Sequence, residues 1–129
     1  GCGPFPDAQP RWINQPSDPD TRAAAVALYA ALMADVSLDL IGASGKLLIE
    51  GRFAASEIFT RALASLRPDT HVTTAASEAD VSFGALRLID PSLRPASSLT
   101  RIAPLNADIA SLRQSWQQAI PESQTEQSA

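Results

Sequence analysis

The chain has 129 residues, a formal net charge of −4 and an isoelectric point near 4.8, with basic side chains scattered singly. That distribution excludes the basic stripe a nucleic-acid partner requires, and a lone Cys2 excludes an intramolecular disulfide and a cysteine metal cluster. At 45% hydrophobic but 5% aromatic residues, the length suits one domain whose core rests on Leu, Ile and Val.

Residues 1–17 carry Pro4, Pro6, Pro10 and Pro16 and read as an irregular lead-in, which Phe5, Trp12 and Ile13 would anchor to the domain. The lead-in lacks the basic-then-apolar plan of a signal peptide. Asp18-Pro19-Asp20 then opens a helix: Asp18 can cap, Pro19 suits the first helical position, and Asp20 complements the positive end of the dipole. Ala25, Leu28, Tyr29, Leu32, Met33, Val36 and Leu40 continue it as one apolar stripe until Gly42. No apolar run is expected to span a bilayer. Asp35 and Asp39, four apart, fit a solvated face or a helix-end contact better than a metal site.

Leu47-Leu48-Ile49 is a continuous apolar run, as expected of a parallel strand covered on both faces. Gly51 follows where the chain must turn, and Ile58, Phe59, Ala62, Leu63 and Leu66 give the next helix one apolar face. A strand–glycine–helix unit lets backbone approach a phosphate or nucleotide at a helix N-terminus. Glu50, at the strand end, is either a ligand contact or a structural charge met by Arg52 or solvent. Arg67-Pro68-Asp69 makes a turn into a second strand, 71–74, which completes a βαβ unit with parallel strands. His71 is expected to be a satisfied structural histidine.

A third helix, capped by Ser77 with Asp80 three residues on, holds Val81, Phe83, Gly84, Ala85, Leu86 and Leu88 and stops at Pro91. The Gly84-Ala85 pair suggests close packing against a neighbour. Residues 106–120 read as a final helix with Ile109, Leu112, Trp116 and Ile120 on one face, and residues 121–129 as a disordered tail. The chain holds no Walker A loop, no Gly-x-Ser-x-Gly elbow and no His-Glu-x-x-His, so no catalytic residue and no metal ligand is assigned.

The order of these elements resembles the C-terminal end of FGGY-family carbohydrate kinases, in the actin/hexokinase/Hsp70-like ATPase superfamily. The matching text is 23–45 for the long helix, 47–66 for the adenosine-motif strand, turn and helix, and Val81–Ile89 for the closing helix; 92–100 resembles the tail of some pentulose-kinase-like members. Where the family has two or three glycines, this chain has Glu50-Gly51-Arg52.

The resemblance implies an α/β fold, a partial RNase H-like C-terminal lobe, spanning residues 18–120. It implies the adenosine side of an ATP- and Mg²⁺-dependent sugar kinase. Gly51, Arg52, Phe53 and Ala54 would bring backbone and one guanidinium towards the nucleotide, Ser56 would meet the base or ribose, and Gly84 would let the last helix pack close. The phosphate turn and catalytic carboxylate precede this segment in the family order. The expected partner is therefore the remainder of the kinase chain, with sugar bound only by the intact enzyme, in the cytoplasm and with no membrane. Beginning at Gly1 without an initiator Met, the chain is expected to be a fragment or processed product, inactive alone and able to dimerise through an exposed apolar edge. Two alternatives have no kinase parent. One is a stand-alone small α/β binding or regulatory module in which Gly51 is only a turn. The other is an interaction protein burying Leu32, Met33 and Val36 against a partner.

Overall fold

Asp18 accepts a hydrogen bond from the Thr21 backbone N–H at 2.7 Å, and Pro19 occupies the first turn, which starts helix α1 (Pro19–Leu40). The computed structural model describes residues 3–9, 11–75, 81–93 and 98–120, with backbone alone for 81–84. Cys2, Pro10, the Ser77–Asp80 cap, residues 94–97 and the tail 121–129 lie outside the described residues.

Residues 23–34 of α1 are apolar without interruption, so the helix is apolar around its circumference and not along one stripe. Ala31, Leu32 and Asp35 face inward, whereas Val26, Tyr29 and Leu40 are exposed. Two expectations are corrected here. By length and composition α1 could cross a bilayer, contrary to the sequence reading. In this fold it packs along the next helix through Ala31, Leu32 and the buried Asp35, while most of its surface is not buried. Leu32 is also not a free surface for a partner, because it is buried in the domain's own core.

Strand β1 (Lys46–Ile49), a 3₁₀ turn (Gly51–Ala55), helix α2 (Glu57–Leu66) and strand β2 (His71–Ala75) follow. Next come helix α3 (Val81–Ile89), strand β3 (Leu99–Arg101) and helix α4 (Ile109–Ala119). β1 and β2 pair in parallel, with Leu47 opposite Val72 and Ile49 opposite Thr74, as a βαβ unit requires. β3 pairs antiparallel with β2, Thr73 opposite Arg101, so the sheet is mixed, in the order β1-β2-β3. The third strand was not expected. It has three residues, all exposed, and shows no alternation of burial that would mark it in sequence.

One core joins Ala31 and Leu32 of α1, Ile49, Phe59, Ala62, Leu63 and Leu66 of α2, Val72, and Ile109 of α4. α2 is its centre, burying the face its periodicity marks, although Ile58 lies at the exposed rim. β1 is covered on one face only: Ile49 is buried, but Leu48 is 47% exposed, which corrects the expectation of cover on both faces. His71 is exposed and is not a buried structural histidine. Of the three lead-in anchors, Phe5 stands edge-on to Trp116 at 5.6 Å, Trp12 is half exposed beside α1, and Ile13 is exposed.

Candidate functional site

At the carboxyl end of β1 the backbone leaves the sheet through Glu50, which is extended, and Gly51, whose φ of +68° lies in the left-handed region. A side chain there would strain the backbone. A β-carbon at Gly51 would meet no atom within 4 Å, so the turn demands glycine for its backbone angle and leaves open space beside it. The 3₁₀ turn that follows closes with the Ser56 N–H donating to Phe53 O at 3.1 Å. Ser56 then caps α2, its Oγ accepting from the Phe59 N–H at 3.4 Å. Its hydroxyl is already in use at the cap.

Five of the six expected site residues therefore share one turn. Arg52 is exposed, and no ion pair joins it to the equally exposed Glu50 among the described residues. Phe53 rests one ring face against Phe59, centroids 4.7 Å apart, and is otherwise 56% exposed. Ala54 packs against the core. Gly84 lies in α3, on a separate element. Its neighbour Ala85 and the residues through Ile89 are exposed, so the described residues do not supply the close packing expected of Ala85.

At the opposite end of β1, four charged side chains converge that the sequence did not bring together. Arg67 Nη1 lies 3.0 Å from Asp35 Oδ1 and 2.7 Å from Asp39 Oδ1, and Arg67 Nη2 donates to Ala43 O at 2.6 Å. Arg113 Nη2 lies 3.0 Å from Asp35 Oδ2 and 3.2 Å from Asp39 Oδ2. Asp35 is 1% exposed, correcting the expectation of a solvated face. The hydrogen bond from Arg67 holds the Asp39 carboxyl below the usual range, aided by the charges of Arg67 and Arg113. The same bond, with those to Asp35, raises the Arg67 guanidinium.

Two carboxylates matched by two guanidiniums form a closed, charge-balanced cluster, whose chemistry is structural. The signal was present, since Asp35 and Asp39 share a helix face and Arg67 stands at a helix end, but only packing shows that the faces meet. Among the described residues no group of three or more His, Cys, Asp or Glu converges to hold a metal. A cavity of about 390 Å³ is lined by Arg11, Trp12, Ala25, Val26 and Tyr29, and another of about 480 Å³ lies between α2 and the residues after β3. Neither is lined by the Gly51 turn.

Comparison with known proteins gives this geometry a parentage. The family described as carbohydrate kinase FGGY, C-terminal domain, matches residues 1–97. A crystal structure of a carbohydrate kinase from Novosphingobium aromaticivorans superposes with a TM-score of 0.84 at 56% identity, covering 92% of this chain and 26% of that one. The chain thus spans about a quarter of that kinase's length. No curated protein matches it. With three quarters of its residues inside the family match and a small α/β fold to suit, this chain belongs to the FGGY carbohydrate kinases, as their C-terminal domain.

Proposed function

We propose that this chain forms the adenosine side of an ATP-dependent sugar kinase of pentulose-kinase type and is inactive alone. The observation that carries it is the Gly51 turn. It sits at the carboxyl end of a parallel strand, where ligands of α/β sheets bind, and opens on unfilled space at the start of α2. Gly51 to Ala54 would line the nucleotide with backbone, with Arg52 adding a guanidinium and the exposed part of the Phe53 ring an apolar surface. Ser56, committed to the α2 cap, would act by holding the helix start in place. Gly84 would allow α3 to lie close to the same cleft once the rest of the kinase covers it.

ATP would supply the phosphoryl group, and Mg²⁺ its charge neutralisation, with ligands drawn largely from outside this domain. Phosphoryl transfer depends on positioning and charge stabilisation, and the carboxylate base and phosphate turn would come from the remainder of the kinase chain, with the sugar. The parallel β1–β2 pair and the α–β–α–β–α order support a partial RNase H-like lobe over residues 18–120, in which further strands would join the free edge of β1. The open sheet face supports the same partner.

In the kinase that contains this segment, Gly51→Val should weaken ATP binding by about tenfold or more while the sugar dissociation constant stays within about twofold. Calorimetric titration of both ligands decides it. Equal losses would mean that the substitution damages the fold, and unchanged ATP affinity would place the nucleotide elsewhere.

A further inference from the structure

The family match ends at residue 97, yet the chain continues through β3 and α4, and this extension is tied into the domain along its whole course. Ile102 donates its N–H to Val72 O at 3.0 Å, continuing the sheet beyond β3. The Leu105 N–H donates to Ser65 Oγ at 2.8 Å, and Arg61 Nη2 donates to Pro104 O at 3.2 Å, which fixes the connection along α2. α4 is seated by Ile109, which is buried, and by Arg113 on the carboxylates of Asp35 and Asp39. Asp35 is a built receptor for that guanidinium, since it is itself 1% exposed.

The same face of α4, one turn beyond Arg113, also meets the lead-in. Trp116 stands edge-on to Tyr29 of α1 at 6.4 Å and to Phe5 at 5.6 Å, and Arg11 Nη2 donates to Ala119 O at 3.4 Å. Phe5 and Arg11 thus both contact α4, while Trp12 and Ile13, just beyond Arg11, remain exposed.

We propose that residues 98–120 form a clasp that holds the proline-rich lead-in on the domain, Arg113 locking α4 in place and Trp116 gripping Phe5. α4 is held by α1 and α2, and it in turn holds Phe5 and Arg11, while the later lead-in is tied to α1 directly by Arg22, which donates to Pro16 O and Ser17 O. Where a longer kinase chain precedes the lead-in, the clasp sets the direction from which that chain reaches this domain. The inference is independent of nucleotide binding.

Trypsin cleavage of the full chain tests it, because Arg11 lies in the lead-in and Arg61 in the core helix α2. No hydrogen bond or ion pair joins Arg113 to the described lead-in residues, yet Arg113→Gln should raise cleavage after Arg11 by loosening α4, about tenfold more than it raises cleavage after Arg61, which reports the stability lost when Asp35 loses one partner. Trp116→Ala should do the same by removing the contact itself, and Trp116→Phe should restore slow cleavage. Two results would overturn the clasp. One is Arg11 cleavage unaffected by Arg113→Gln and Trp116→Ala. The other is cleavage after Arg11 and Arg61 rising by the same factor, which would mean that α4 merely supports the whole fold.

Discussion

Asp35 depends closely on its neighbours, because a buried carboxylate is tolerable only while its guanidinium partners stay in place. Arg67→Met keeps most of the side-chain volume but leaves Asp35 half-paired and Ala43 O without its donor. It should cost about 3–5 kcal/mol in urea unfolding, the range for breaking a buried pair. Asp39→Asn, at a carboxylate that is half exposed, should cost about 1 kcal/mol or less. The two values, measured side by side, separate a buried ion pair from a surface one. Asp39 also sets a pH dependence. Its folded pKa is lowered, chiefly by the Arg67 hydrogen bond, so its contribution is complete above the unfolded value of about 4 and is lost as the pH falls through the lower, folded value. Asp18, Asp90 and Asp108 shift the same way through hydrogen bonds from Thr21, Ser92 and Ser111. The urea midpoint should therefore drop as the pH falls below the unfolded carboxyl value of about 4, and Asp39→Asn should flatten part of that drop.

Among the elements, the sheet differs in cover between its two faces. Val72 is 2% exposed against α2, whereas Leu48 points from the open face of the sheet with 47% of its surface exposed. An aspartate at position 72 would bury an unpaired charge at several kcal/mol, enough to unfold a domain whose total stability is about 5–15 kcal/mol. Leu48→Asp keeps its charge in water and should leave the chain folded, with a cooperative melt by circular dichroism; loss of that melt would show that the open face is covered in solution. α2 was legible because its apolar residues recur with helical period and Ser56 stands at its cap. α4 was legible for the same reason, beginning at the Asp108 cap three residues later than expected. β3 was not, since three exposed residues carry no burial pattern.

At the scale of the whole molecule, the exposed apolar side chains are not scattered evenly. Leu86, Leu88 and Ile89 of α3 and Leu48 and Leu99 of the sheet are all at least 47% exposed, a pattern of surfaces that a larger protein would cover. The isolated chain should therefore self-associate as its concentration rises, and Leu88→Lys with Leu48→Lys should shift sedimentation towards monomer. A monomer at all concentrations for the unaltered chain would contradict this. The same exposure explains why the covering of β1 on both faces was misjudged: an apolar run records the surroundings a strand is built for, and the described residues supply cover for only one side.

Local chemistry was enough to place α1, α2, the two parallel strands and the Gly51 turn, because caps, period and a left-handed glycine act over a few residues. The family followed from their order. Tertiary structure alone decided which face of α1 turns inward, since residues 23–34 offer no polar contrast to choose by. It alone brought Asp35 and Asp39 to Arg67 and Arg113, residues 28 to 78 positions apart in the chain, and joined Phe5 to Trp116. Contacts of that separation depend on how packed elements meet, and no local pattern in the sequence encodes them.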